Sequence, residues 1–161
     1  MSSAGWPTRS TFRRMHPGRR RSFERIATAI RAVLDSSVFV RGVIENSEPA
    51  LGWVDSVEKK HTEGFAPELV WLEVASALRR HVASGVIDAS TAFEALGRIL
   101  ALPLSVHRLD TLAEPALGRS LDLGLSVYDA SYLALAEVAD AVLVTADRRL
   151  AQAAVRAELI A

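Results

Sequence analysis

Four carboxylates stand where an acidic residue is either a structural cap or a ligand. Asp35 follows Val33 and Leu34 in VLDSSVFV, and Asp147 follows the apolar run of VLVTADRRL. Asp129 is the first charge in LSVYDASYLALAEVAD, and Glu73 sits between Leu72 and Val74 in PELVWLEVASALRR. Each has a plain structural explanation. Ser126-Val-Tyr-Asp129 has capping-box spacing, Asp147 can cap a helix, Asp35 is a common turn residue, and Glu73 can pair with Arg79 or Arg80. Taken together they suggest chemistry. The three aspartates fall at strand ends or helix starts, which face the carboxyl edge of a parallel sheet, where open α/β folds bind ligands. The glutamate lies in a helix that is apolar over most of its circumference, a costly place for an unpaired charge. Four like charges brought together repel unless a cation neutralises them. Hard oxygen donors suit Mg²⁺ or Mn²⁺, and such a metal activates water and steadies a phosphate transition state.

The elements that must position these residues alternate. VLDSSVFV reads as a short buried strand ending in a carboxylate, with Ser36 or Ser37 able to cap the helix that follows, over residues 38–44. Ser47 can cap a second helix, with Leu51, Val54 and Val57 spaced for one buried face. Residues 65–66 suggest a short second strand, and Pro67 sits at a helix first turn. That helix runs over 68–84 and stops at Gly85. Asp88 caps a fourth helix to residue 100, and residues 104–106 read as a third strand. Thr111 opens a helix ending near Gly124, and Ser126 opens another to residue 138. A strand over 141–145, a helix over 147–155 and a possible strand at 159–160 complete the chain. Strands alternating with helices predict an α/β fold of three layers, a central parallel β-sheet with α-helices on both faces.

Composition narrows the class. The chain has 161 residues, half of them hydrophobic, enough for one domain with a sizeable core. It has no cysteine, which excludes disulfides, thiolate zinc sites and thiol nucleophiles, and suits a reducing cytosol, so a cytoplasmic location is expected. The longest apolar run is broken by Glu137 and Asp140, so no membrane span is expected. Net charge is zero but uneven. Residues 1–31 carry eight Arg and one Glu, a net of +7, and residues 32–161 carry eleven basic and eighteen acidic residues, a net of −7. The acidic part does not suit a generic nucleic-acid binder. The basic leader has three readings: a disordered arm that touches nucleic acid, a transit-like peptide, or translated sequence upstream of a later start such as Met15. The last is preferred, and residues 22–31 can form a helical turn or two.

In this order, VLDSSVFV, ELVWLEVASAL, LSVYDASYLALA and LVTADRRL resemble the PIN-domain ribonucleases, in particular the VapC-type toxins of VapBC toxin–antitoxin pairs. The resemblance covers residues 32–161. It implies an acidic Mg²⁺ site that cuts single-stranded RNA, with metal and catalytic roles for Asp35, Glu73, Asp129 and Asp147. It gives Thr145 a supporting role through its hydroxyl, and Ser36 matches the small hydroxyl residue after the first aspartate. It implies a VapB-type antitoxin as partner. No acidic position of the pattern is missing, so an active metal-dependent endoribonuclease is expected, acting on tRNA, rRNA or mRNA. An apolar helix surface around Leu51, Trp53 and Val54, together with the resemblance, predicts a homodimer.

Other residues and functions were weighed beside this. Arg79–Arg80 and Arg148–Arg149 follow two of the proposed ligands and can hold RNA phosphates, or form solvated helix faces. His16, His61, His81 and His107 lack metal-ligand spacing. Trp53 and Trp71 are spaced like core or interface residues. A phospho-acceptor signalling module also gathers aspartates around Mg²⁺, but it wants a lysine after a late strand, and the only lysines are Lys59 and Lys60. A PIN-like module that binds RNA or protein without cutting is the remaining alternative.

Overall fold

In a computed structural model, which describes residues 29–160, short apolar strands and amphipathic helices alternate along the chain. They are β1 (Ile30–Leu34), α1 (Ser36–Val43), α2 (Glu48–Glu58), β2 (Thr62–Pro67), α3 (Val70–Ala83), α4 (Ala89–Leu100), β3 (Ser105–His107), α5 (Leu109–Leu123), α6 (Val127–Val138), β4 (Val142–Thr145), α7 (Arg148–Ala153) and β5 (Ala157–Leu159). The strands form one parallel sheet in the order β3-β2-β1-β4-β5. Successive side chains of a strand point to opposite faces, and here both faces are dry. Ala32, Leu34, Ala66 and Val144 pack against α1 to α4. Val33, Phe65 and Leu143 pack against α5, α6 and α7. The predicted three-layer α/β architecture is therefore the one observed.

From β1 the chain winds outward to β2 and β3, then crosses back to β4 and β5 on the other side. The direction of winding reverses between β1 and β4. Their carboxyl ends form the crevice where open α/β sheets bind ligands.

Three local expectations change. Ile30 and Arg31 belong to β1 rather than to a helical turn, in register with Thr62 and Glu63. Arg31 Nε lies 3.2 Å from Glu63 Oε2, and its guanidinium sits 4.9 Å from the centre of the Phe65 ring. The other residues of the basic leader, 1–28, lie outside the described residues. Pro67 ends β2 instead of opening a helix. It aligns with His107 of β3, beyond the last β1–β2 pair at Val33 and Phe65, and a strand end is where a missing N–H is tolerated. Third, the apolar trio of α2 is not an open surface. Val54 is fully buried in the core, and the half-buried Trp53 donates its indole N–H to Glu158 Oε1 at 2.8 Å.

The shifted start of β1 has a measurable consequence. A chain beginning at Ala32 loses two ladder positions, the Arg31–Glu63 ion pair and the cation over Phe65. It is expected to melt below a chain beginning at Ala29. Equal melting temperatures would show that residues 30 and 31 add nothing to the sheet.

Candidate active site

The register of β1 against β4 places Leu34 opposite Val144. Asp35 and Thr145 therefore leave the sheet side by side, and the Asp35 N–H still donates to Val144 O at 3.0 Å. The Asp35 carboxylate is ringed by hydroxyl donors. Thr145 Oγ1 donates to Oδ2 at 2.8 Å, Ser37 Oγ to the same oxygen at 2.7 Å, and Ser36 Oγ to Oδ1 at 3.2 Å. Thr145 and Ser37 are themselves held by backbone. Thr145 Oγ1 accepts from Asp147 N–H and Ser37 Oγ from Ala146 N–H, both at 3.0 Å. The segment after β4 is thus tied to the first aspartate through two hydroxyls.

Glu73 comes from the first turn of α3 and is half-buried. Its Oε2 accepts the phenol O–H of Tyr132 at 2.5 Å. Tyr132 lies on α6, fully buried, so this bond joins the two helical layers across the sheet edge. Burial raises the Glu73 carboxyl above the usual carboxylate range, and the negative charges of Asp35 and Asp129 add to the rise. The hydroxyls of Tyr132 and Ser36 act in the opposite direction. Burial and the carboxylates of Glu73 and Asp35 likewise push the Tyr132 phenol up, which keeps it a donor. Asp35, Glu73 and Asp129 therefore share one field.

Asp147 also caps a helix, and Asp129 is held by the residue that caps its own. Ser126 Oγ accepts from Asp129 N–H at 3.0 Å and donates to Asp129 Oδ2 at 2.8 Å. Asp147 Oδ1 accepts from the N–H groups of Arg149 and Leu150 at 2.7 and 3.0 Å, at the start of α7. All four carboxylates stand within the first turn or at the N-cap of a helix, where the positive end of the dipole favours an anion.

Among the described residues none of the four makes an ion pair; every salt bridge lies elsewhere. Glu73 pairs with neither Arg79 nor Arg80. Negative charge concentrated on hard oxygens, with no protein cation to balance it, fits a hard divalent ion. Among the described residues no three such side chains enclose a metal by themselves.

A cavity of about 650 Å³ opens beside the cluster, with Ser36 and Glu73 in its wall and Arg80 further along α3. The other three arginines are placed differently. Arg79 lines a separate cleft between α3 and α4. Arg149 turns its guanidinium to the carbonyl of Gly124, whose φ of 64° closes α5 in the left-handed region. Arg148 is exposed. Sequence reading missed the Glu73–Tyr132 bond and took Ser37 only as a possible cap. Tyr132 had one signal: it lies three residues after Asp129, hence on the same helix face.

Comparison with known proteins agrees with this geometry. The PIN domain family model matches residues 32–156. Ribonuclease VapC3 of Pyrobaculum aerophilum is 33% identical over 128 residues, spanning 76% of this chain and 94% of that protein. The crystal structure of PAE2754 from Pyrobaculum aerophilum superposes with a TM-score of 0.64 at 26% identity, covering 83% of this chain and 92% of that one. The VapBC2 structure from Rickettsia felis, bound to a DNA fragment from its promoter, shares the fold with a TM-score of 0.58 at 13% identity, over 81% and 98% of the two chains. The chain belongs to the PIN domain family. Within that family it is of the VapC type.

The raised carboxyl of Glu73 sets a sign for stability. The folded chain holds this proton more tightly than the unfolded chain does, so the residue's contribution is lost as pH rises through its folded pKa. Glu73→Gln removes the charge, and the amide oxygen can still accept from Tyr132. In chelator at neutral pH, Glu73→Gln is expected to melt at or above the wild-type temperature. The gain should vanish below the ordinary carboxylate range, where Glu73 is protonated in both states. A variant markedly less stable at neutral pH would show that charge repulsion at Glu73 is not what the fold bears.

Proposed function

We propose that the chain is a divalent-metal-dependent endoribonuclease and the toxin of a toxin–antitoxin pair acting in the cytoplasm. One observation carries this reading. Four carboxylates from four helix starts stand at the carboxyl edge around the β1–β4 crevice, and among the described residues none of them is ion-paired. Asp35, Glu73, Asp129 and Asp147 would hold Mg²⁺ or Mn²⁺, which supplies positive charge against a phosphodiester and acidity to a water.

The protein's part is positioning. Thr145 and Ser37 fix Asp35 through Oδ2, Ser36 lies between Asp35 and Glu73, and Tyr132 fixes Glu73 through Oε2. Arg80 is the basic residue best placed to meet RNA beside the cluster. The phospho-acceptor reading loses on geometry. Lys59 and Lys60 precede β2, at the amino edge of a parallel sheet, and Lys59 pairs with Asp55 at 3.3 Å.

The ligand role separates from the capping role by substitution. Asp35→Asn can place its amide oxygen where Oδ2 meets Ser37 and Thr145, with its NH₂ toward Ser36. Asp129→Asn keeps an acceptor for Ser126. Both are therefore expected to fold, with melting temperatures in chelator at or above wild type. Both should lose the stabilisation that Mg²⁺ or Mn²⁺ gives by binding only the folded state, together with cleavage of RNA. Full cleavage by Asp129→Asn would remove that residue from the metal site. A wild-type chain that cuts no RNA in either metal would favour the silent binding module.

A homodimer and a complex with a VapB-type antitoxin belong to the same proposal. The α3–α4 cleft, about 250 Å³ and lined by Leu78, Val82, Phe93 and Leu96, suits an apolar helix. Phe93 is 76% exposed there. Light scattering at micromolar concentration is expected to give twice the monomer mass, and a strict monomer would count against the dimer.

A further inference from the structure

We infer that Tyr128 and Arg80 form a nucleotide platform beside the acidic cluster, with Tyr128 taking the face of an unpaired base and Arg80 holding a neighbouring phosphate. This deepens the ribonuclease reading and rests on it. The cavity that begins at Ser36 and Glu73 continues over Leu72, Ser76 and Arg80 of α3 and over Tyr128 of α6. Its volume of about 650 Å³ is well within the range of small-ligand sites. Leu72, Ser76 and Arg80 recur every fourth residue, so they form one stripe along α3.

Three large side chains on this wall are left to solvent, Leu72, Leu109 and Tyr128, and Tyr128 is the one aromatic among them, 68% exposed. Tyr128 is also the residue immediately before Asp129, so whatever meets its ring lies next to the cluster. An aromatic face beside a phosphate-cutting site is what unpaired bases stack on, whereas a base inside a duplex has both faces covered. Stacking tolerates any base, so the platform selects for single-stranded character rather than for sequence.

The charges along the wall are consistent with this. Arg80 makes no ion pair among the described residues and donates only to Ser76 Oγ at 3.3 Å. The acid in the cavity outside the cluster, Glu68, is held within the wall, its Oε2 accepting from Leu109 N–H at 3.2 Å at the start of α5. Arg79, the next residue along the chain, lines the other cleft. The proposal therefore separates two adjacent arginines.

The test is equilibrium binding of fluorescein-labelled ten-nucleotide oligo(A), oligo(U) and a duplex of equal length to the full chain in chelator. Manganese-dependent cleavage of the same strands is scored separately. Wild type is expected to bind both single strands more tightly than the duplex. Tyr128→Ala should weaken single-strand binding about tenfold, and Tyr128→Phe should restore it. Arg80→Ala should weaken binding and lower the slope of log affinity against log salt by about one. Arg79→Ala should leave both unchanged. Both tyrosine variants alter an exposed side chain, and unchanged melting shows that they fold. The platform is overturned if Tyr128→Ala binds as wild type, if Tyr128→Phe loses as much as Tyr128→Ala, if Arg79 and Arg80 matter equally, or if wild type binds no single strand. A chain that shows the expected binding but cuts nothing in manganese keeps the platform and overturns the nuclease reading.

Discussion

The contact on which the site depends is the hydrogen bond from Thr145 to Asp35. It bridges 110 positions of sequence and exists because β1 and β4 are adjacent and parallel, so that both end at the same edge. Thr145 is fully buried, and a buried hydroxyl without a partner costs about 1–3 kcal/mol. Its oxygen is satisfied twice, donating to Asp35 and accepting from Asp147 N–H. A one-residue slip of β4 against β1 would turn Thr145 to the other face of the sheet. It would break both bonds and move Asp147 away from Asp35. Leu143 packs into one layer and Val144 into the other, so a slip would exchange them between two cores of different shape. The core thus fixes the register, and the register fixes the site.

Crowding carboxylates has an electrostatic cost, and the fold distributes it. Each acid begins a helix, so each is offset in part by that helix's own dipole. Asp35 and Glu73 are further held by neutral hydroxyl donors rather than by arginine or lysine. The distinction matters chemically. A guanidinium would neutralise the carboxylate and compete with a metal, whereas a hydroxyl orients the oxygen and leaves its charge. The raised carboxyl of Glu73 reflects its burial first, and the neighbouring charges of Asp35 and Asp129 add to it.

Much of this was legible in sequence, for identifiable reasons. The buried end of β1 and the apolar part of β4 are short apolar runs closed by Asp and Thr-Ala-Asp, and Ser126 and Asp88 cap as their spacing required. Glu73 stood out because a charge in an apolar helix needs a partner. Which partner was not legible: Tyr132 lies 59 positions away and meets Glu73 only once α3 and α6 close over the sheet edge. The amino end of β2 was hidden because Glu63 and Gly64 have low strand propensity, overridden by pairing with β1. The α2 trio misled because spacing reveals an apolar stripe without revealing what covers it. The four arginines read alike in sequence, yet only packing separates Arg80, beside the cluster, from Arg149, which closes the end of α5.

Capping and metal binding looked like rival explanations for Asp129 and Asp147, but the geometry makes them compatible. Asp147 spends one oxygen on two N–H donors of α7, and Asp129 is held by Ser126 through Oδ2. A carboxylate has about four lone-pair positions, so about two remain on Asp147 and about three on Asp129. These hydrogen bonds fix the rotamer. A ligand already immobilised loses little further entropy when an ion arrives. On the proposed reading, the same local chemistry that starts α6 and α7 would prepare the acids at their tips for a cation. This is why a capping signal in the sequence was no argument against function here.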